Sequence, residues 1–313
     1  MKSDFMAAML ITVAGCASPV ERWNCQRPRT PLLADGVMLD MDHTAVDKKA
    51  LHVLLTGDPQ FNQKPRTPEF VGNAMADIAE IPHDLMAVLG DLAQNRRELY
   101  RVYEEGVLTR ATRPVYSLPG NGDVGAGLQF YKECTGFPLY YGLRLRGIRF
   151  LFLGTLGMAG KNRHICTLGE KQTAWLTEQL DHDQRTTTII FSHAPVFETT
   201  WHSEDRSEKK FPGSMYLNES TEVRALLKKH DNVVVFAHGH LHHPWHLKDE
   251  HGRGAFHLED GVTHVSVAAS ANNQGGALLS VEKGRIVIRV RDHANRKWLK
   301  KFERVHKVDT TLD

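Results

Sequence analysis

The chain has 313 residues, 41% hydrophobic and 24% charged, which excludes wholesale disorder and leaves room for one large or two ordinary domains. Its 39 Lys and Arg against 37 Asp and Glu leave +2, so no overall field favours a nucleic-acid polymer, and four Cys do not make a disulfide scaffold. Histidine is the outlier: there are 18, and His238, His240, His242, His243 and His246 fall within nine residues, which matters because His is the commonest metal ligand in proteins.

In chain order, Lys2 precedes a nine-residue apolar run, Phe5 to Val13. A bilayer span needs about 20 residues, so the run fits the core of a signal peptide instead. Residues 17–50 hold three Pro and many charges without an apolar period, and read as a tether carrying Cys25. The folded domain is expected over 51–313. Leu51–Leu55 predicts a buried strand ending in Gly57-Asp58. Thr67-Pro68-Glu69, with Val71, Met75, Ile78 and Ile81, predicts an amphipathic helix. Leu85–Leu89 predicts a second strand, ending in Gly90-Asp91, and Gln94–Glu105 a helix. Val115–Leu118 runs into Gly120-Asn121-Gly122-Asp123. Tyr140–Leu145 and Ile148–Leu153, split by Arg146-Gly147, predict a hairpin. Glu170–Leu180 is an amphipathic helix. Thr188–Phe191, Val233–Phe236, His264–Ala268 and Ile286–Val290 complete the strands. Alternating strands and helices predict an α/β fold.

Polar residues of ligand type close five of these segments: Asp58, Asp91, Asn121, His193 and the His240 loop. Each alone is an ordinary turn, cap or strand end. Together they fit the rule that ligands collect at the carboxyl ends of strands in α/β sheets. The order Asp, Gly-Asp, Gly-Asn-x-Asp, His, Gly-His-x-His resembles the calcineurin-like metallophosphoesterases from about Leu51 to Val290. Gln172 to Leu176 is similar to that family's Q-x-x-W-L segment.

The resemblance implies a four-layer α/β/β/α sandwich and two divalent metal ions (Mn, Fe, Zn or Mg). It implies hydrolysis of a phosphate mono- or diester of small size by attack of a metal-bridging hydroxide. It makes Asp91 the carboxylate shared by both metals. It puts Asp58, Gln60 and His242 on one metal, and Asn121, His193 and His240 on the other. Asp91, Asn121, Asp123 and His193 are the catalytic candidates. Two close metals can clamp a phosphate ester and acidify a bridging water. Two departures stand out. Most family members have His where this chain has Gln60, which predicts a weaker first metal tilted toward Mn²⁺ or Mg²⁺. Most also have His where this chain has Gly122, and loss of that group should cost ~10²–10⁴-fold for poor leaving groups. Asp123, His202 and His243 are the candidate replacements. A catalytically degenerate protein that binds metal or a phosphorylated ligand is the alternative reading. His238, His243 and His246 receive no ligand role: each either supports the ligands from behind, faces substrate, or is a solvated loop histidine. The polar stretch Glu198–Ser214 is a candidate substrate wall, in which Trp201 and Phe211 stack a base or pack the loop down.

Val13-Ala14-Gly15-Cys16 is similar to the lipobox of bacterial lipoproteins. That resemblance implies that residues 1–16 are a signal peptide and lipobox cleaved before Cys16, a lipid anchor on Cys16 as the mature N-terminus, and an exported, membrane-attached protein of the cell envelope. Ala17 after the Cys then implies an outer-membrane destination in a Gram-negative cell.

Overall fold

The computed structural model describes residues 33–41, 46–61, 66–124, 128–158, 164–201, 214–272, 275–308 and 312. The leader with Cys16, the first part of the tether with Cys25, and His202 and Phe211 lie outside the described residues. Sixteen strands run in chain order: β1 Met38–Asp40, β2 Ala50–Thr56, β3 Leu85–Leu89, β4 Val115–Leu118, β5 Tyr140–Leu145, β6 Ile148–Leu153, β7 Leu156–Met158, β8 His164–Thr167, β9 Thr188–Ser192, β10 Val233–His238, β11 Phe256–Glu259, β12 Val262–Ser266, β13 Gly276–Glu282, β14 Arg285–Asp292, β15 Lys297–Trp298 and β16 Arg304–Lys307. Among the described residues the α-helices are α1 Thr67–Ile78, α2 Arg97–Tyr103, α3 Gln129–Thr135, α4 Gly169–His182 and α5 Ser220–Lys229.

Two seven-stranded sheets carry the fold. The first has the order β1-β5-β6-β9-β10-β12-β11, and the second β15-β14-β13-β2-β3-β4, with β16 also on β14. Within them β2, β3 and β4 are parallel, as are β6, β9, β10 and β12. Every residue of β3, β9 and β10 is buried, which is why these strands read as unbroken apolar runs rather than as alternations. Tyr116 of β4 meets Phe152 of β6 at 6.1 Å between ring centroids, and Phe152 stacks on Tyr141 of β5 at 4.6 Å. These contacts join the inner faces of the two sheets into one core. Trp175 of α4 packs on Tyr140 of the first sheet, and α1 is tied to the second. The expected α/β architecture with two central sheets is therefore present. No helix among the described residues is long and apolar enough to cross a membrane.

Several boundaries differ from expectation. Residues 33–41, read as tether, belong to the domain. Met38–Asp40 pairs with Gly142–Arg144 in parallel, Asp35 accepts the Leu139 N–H at 2.8 Å, and the Trp175 indole donates to the Gly36 carbonyl at 3.0 Å. A three-residue edge strand is too short to show a period. The helix expected from Gln94 starts at Arg97, because Asn95 is left-handed at φ 39° and breaks the first turn, and it runs on as a π-helical turn over Glu104–Leu108. Ile81 falls in the turn after α1, whose last helical residue is Ile78.

α1 is held to β14 by one buried carboxylate. Asp77 accepts from Arg291 Nε at 2.9 Å and Nη2 at 2.6 Å, and pairs with His293 Nδ1 at 2.7 Å. Burial pushes this carboxyl up, but the Arg291 and His293 bonds outweigh it and hold it well below the usual carboxylate range. Its contribution to stability is thus fully present above the unfolded value of about 3.9 and is lost as pH falls below that value. Asp77→Asn is expected to cost about 3 kcal/mol at neutral pH in urea unfolding. The deficit against wild type should shrink on acidification to about pH 2, and an unchanged deficit would count against the ion-pair account.

Candidate metal centre

The five ligand-bearing segments all follow the carboxyl ends of parallel strands: Gly57-Asp58 after β2, Gly90-Asp91 after β3, Asn121 after β4, His193 after β9 and His240 after β10. The backbone turns sharply there. Eleven described non-glycine residues have positive φ, and five of them are candidate ligands: Asp58 at 45°, Gln60 at 41°, Asp91 at 50°, His240 at 68° and His242 at 52°. A left-handed non-glycine residue costs about 1–2 kcal/mol, so such a cluster marks a place where geometry is imposed by the surrounding structure. The glycines serve approach instead. A Cβ on Gly120 would lie 2.3 Å from Asp91 Oδ1, and one on Gly239 would lie 2.6 Å from Asp58 Oδ2.

His193 is fully buried, and its Nδ1 lies 2.8 Å from the Leu89 carbonyl. A carbonyl can only accept, so Nδ1 carries the proton and Nε2 presents a lone pair. His240 is the mirror case: its Nε2 donates to the Ser214 carbonyl at 2.7 Å, leaving Nδ1 as the lone pair. Burial, then the neighbouring His193, pushes His240 down to about 4 against the pull of Asp91 and Asp58, so the ring is neutral at pH 7. The two lone pairs meet at 3.1 Å, with Asn121 Oδ1 at 2.9 Å and Asp91 Oδ1 at 3.3 Å from His193 Nε2. Four acceptors thus converge on one point. An ion with bonds of about 2.1 Å sets neighbouring ligand atoms about 3.0–3.4 Å apart in octahedral or tetrahedral geometry. The residues fit a divalent cation.

The second half of the cluster is less complete. His242 Nε2 lies 3.2 Å from Asp58 Oδ1, and the ligand atoms of Asp58, Asp91 and His242 all lie within 4.8 Å of one another. Asp58 is wholly buried. Burial raises its carboxyl pKa, but His242, then His193 and His240, outweigh that and lower it. Asp58 also accepts the His240 N–H at 2.9 Å. Gln60, expected to offer its amide oxygen, instead points Nε2 at Asp91 Oδ2, donating at 3.3 Å. It sits in the cluster, but with the wrong end of the amide forward for a metal. Asp91 reaches both halves, with Oδ1 toward His193 and Oδ2 toward Gln60.

Asp123, one of the catalytic candidates, braces the cluster. Its carboxylate is buried and accepts from Leu92 N, Ala93 N, Gly120 N and the Tyr100 hydroxyl at 2.6–3.1 Å. Burial and the Asp91 charge push it up to about 6 against those donors. It binds the Asp91 loop to the Asn121 loop. Asp123→Asn should lower the unfolding free energy of metal-free protein by about 1–3 kcal/mol, since an amide NH₂ would face donors; chemical denaturation measures this. His243 is also occupied elsewhere: it is buried, and Trp201 lies over its ring at 4.1 Å. Trp201 therefore packs its loop down on His243. His246 is exposed.

His238 supports the ligands from behind, one of the roles open to it in sequence. It is fully buried, and its Nδ1 donates to the Gly239 carbonyl at 2.9 Å while Nε2 accepts from the Thr200 hydroxyl at 2.9 Å. The N–H of the same peptide unit, on His240, donates to Asp58. Hydrogen bonds at both ends of one peptide polarise each other. Burial pushes His238 down to about 4, which keeps it in this neutral tautomer. The chance of finding it in sequence lay only in its adjacency to Gly239. Cys166, whose Sγ lies 3.1 Å from the Ser214 carbonyl and 3.7 Å from His240 Nε2, has no motif spacing to betray it. His238→Ala is expected to weaken Mn²⁺ binding about 10–100-fold in calorimetry, and His238→Asn, which keeps a donor near Nδ1, to restore most of it.

Two facing sheets thus bring three carboxylate or amide groups and three histidines into one cluster that fits divalent cations, at the carboxyl ends of parallel strands in an α/β domain. The family model for calcineurin-like phosphoesterases matches residues 51–244, and the chain belongs to that family. Solved structures agree on the fold. A dimetal phosphatase from Danio rerio is similar at TM-score 0.62 and 14% identity, over 82% of this chain and 98% of that one. A purple acid phosphatase from yellow lupin (Lupinus luteus) seeds is similar at TM-score 0.59 and 13% identity, over 85% of this chain and 55% of that one. GAP50, the anchor in the inner membrane complex of Plasmodium, is similar at TM-score 0.55 and 11% identity, over 84% and 90%. No curated protein matches the chain in a sequence search.

Proposed function

We propose that the protein is a metal-dependent phosphoric ester hydrolase acting on a small phosphate mono- or diester. The observation that carries this reading is the convergence of four acceptors, His193 Nε2, His240 Nδ1, Asn121 Oδ1 and Asp91 Oδ1, which only a cation satisfies. Asp91, Asn121, His193 and His240 would hold one divalent ion, and Asp58, Asp91 and His242 a second. Bound there, such ions supply Lewis acidity to a phosphoryl group and lower the pKa of water. The protein's own part is to fix the tautomers of both imidazoles through the Leu89 and Ser214 carbonyls, so that His193 Nε2 and His240 Nδ1 face the cluster, and to orient Asp91 through the Gly122 N–H at 2.7 Å. With glycine at position 122, no imidazole there protonates a leaving group. Aryl phosphates and phosphoanhydrides, whose leaving groups need little protonation, are therefore the preferred class.

A second reading, metal binding without turnover, draws on Gln60, whose amide N–H rather than oxygen meets Asp91. The decisive measurement pairs metal titration with hydrolysis of p-nitrophenyl phosphate and its bis ester in Mn²⁺. The hydrolase reading expects turnover that falls at least ~10³-fold in Asp91→Asn, and Gln60→His to tighten the weaker of two Mn²⁺ sites. One ion per chain with no hydrolysis of either ester establishes the second reading. We also propose, from Phe5–Val13 and Val13-Ala14-Gly15-Cys16, that the chain is exported and lipid-anchored at Cys16 in the cell envelope; the mass of the mature N-terminus decides this.

A further inference from the structure

The chain's charge is unevenly placed. Ten of the 39 Lys and Arg but only two of the 37 Asp and Glu lie between residues 283 and 307, so this stretch carries +8 and the remainder −6. The fold lays that stretch along one margin of the second sheet. β15 and β16 both pair with β14, joined by a 3₁₀ turn at Lys300–Phe302. Arg285, Arg289, Arg291 and Arg296 are matched by Glu282, Glu303, Asp77 and Glu80. Lys283, Lys297, Lys300, Lys301, Arg304 and Lys307 are exposed and meet no carboxylate at ion-pair distance among the described residues.

Beside β16 lies β11, the last strand of the first sheet. A cavity of about 350 Å³ opens at this seam, lined by Phe256, Leu258 and Val305 together with Arg304 and Lys307, and by no Asp or Glu. Leu258 is 63% exposed and Val305 54%, the two most exposed large hydrophobic side chains of the described residues. Lysines on an edge strand deter strand addition, and that alone accounts for isolated cations there. It does not account for two aliphatic side chains left in water among them, which increase the hazard such lysines guard against.

We propose that this seam is a docking face for an anionic phospholipid surface. Basic side chains meet the headgroup charge while Leu258 and Val305 enter the interfacial layer. A nucleic acid would use the cations but leave the aliphatic pair idle, since bases are bound by stacking on aromatic faces. The seam lies beside Thr263, which pairs with Val235 near the start of β10, whereas the metal ligands follow that strand's end. Docking therefore leaves the metal centre open to water. The inference does not depend on the hydrolase reading.

The test is cosedimentation of the full chain with vesicles of phosphatidylcholine alone and of phosphatidylcholine with phosphatidylglycerol. Comparing vesicle types and variants cancels any contribution of the N-terminal apolar run. Wild type is expected to bind the anionic vesicles at least ~10-fold more tightly and to release as salt rises. Each basic residue near such a surface contributes about fivefold, so a variant combining Lys300→Glu, Lys301→Glu, Arg304→Glu and Lys307→Glu should lose at least ~100-fold. Leu258→Ser with Val305→Ser should weaken vesicle binding several-fold and leave binding to a DNA duplex unchanged, with thermal melts confirming that both variants fold. Equal wild-type binding to both vesicle types, or sedimentation of the charge-reversed variant like wild type, overturns the proposal. Tighter binding to the duplex than to anionic vesicles overturns it in favour of a nucleic-acid partner.

Discussion

Two imidazole lone pairs face each other across 3.1 Å, and much else in the structure follows from that contact. Neither ring can relieve it by moving its proton. His193 must donate to Leu89 and His240 to Ser214, and both acceptors are backbone carbonyls. Protonating His240 would add a charge in a buried place that already disfavours it. A cation between the rings resolves the conflict, and Asp91 and Asn121 supply the remaining acceptors. The fold accepts local strain to build this point. Five left-handed ligand residues are sustainable only because each follows a strand held in a packed sheet on both sides.

The second half of the cluster shows what happens when one part of that logic is changed. Asp58 and His242 remain close, and the His240 N–H braces Asp58 through a peptide that His238 holds from the other end. Gln60 replaces an imidazole with a group whose two ends have opposite character. Its N–H end donates to Asp91 Oδ2. A metal entering there must compete with that bond and turn the amide. The asymmetry between the two halves is therefore a property of residue chemistry rather than of backbone placement.

How much of this is legible in sequence depends on locality. Asp58, Asp91, Asn121, His193, His240 and His242 each sit one or a few residues past a buried strand, and a strand of five apolar residues ending in glycine is a local signal. The groups that set the tautomers are backbone carbonyls of Leu89 and Ser214, and a carbonyl has no letter in the sequence. Met38–Asp40 escapes because three residues at a sheet edge have no period. The bracing role of Asp123 escapes for a different reason. Its position after Asn121 is that of a family site residue, while three of its four donors, Leu92, Ala93 and Tyr100, lie more than twenty residues away in the chain.

The segment from Gly120 to Asp123 brings these points together. Gly120 has no Cβ because Asp91 Oδ1 fills that space, and Asn121 turns its oxygen to His193. Gly122 donates its N–H to Asp91, and Asp123 draws the Asp91 loop and Gly120 toward one carboxylate. All four residues thus serve the placement of Asp91 or of its neighbour. A Cβ at position 122 would press on the Asp91 carboxylate at 3.1–3.3 Å, tight enough that Asp91 would have to yield. The glycine is therefore more than a deleted imidazole, because the loop has closed on Asp91 in a way that an added side chain would disturb. Returning histidine to position 122 trades a proton donor against the position of the carboxylate shared by both halves of the cluster. The absence at 122 and the close hold on Asp91 are one structural feature.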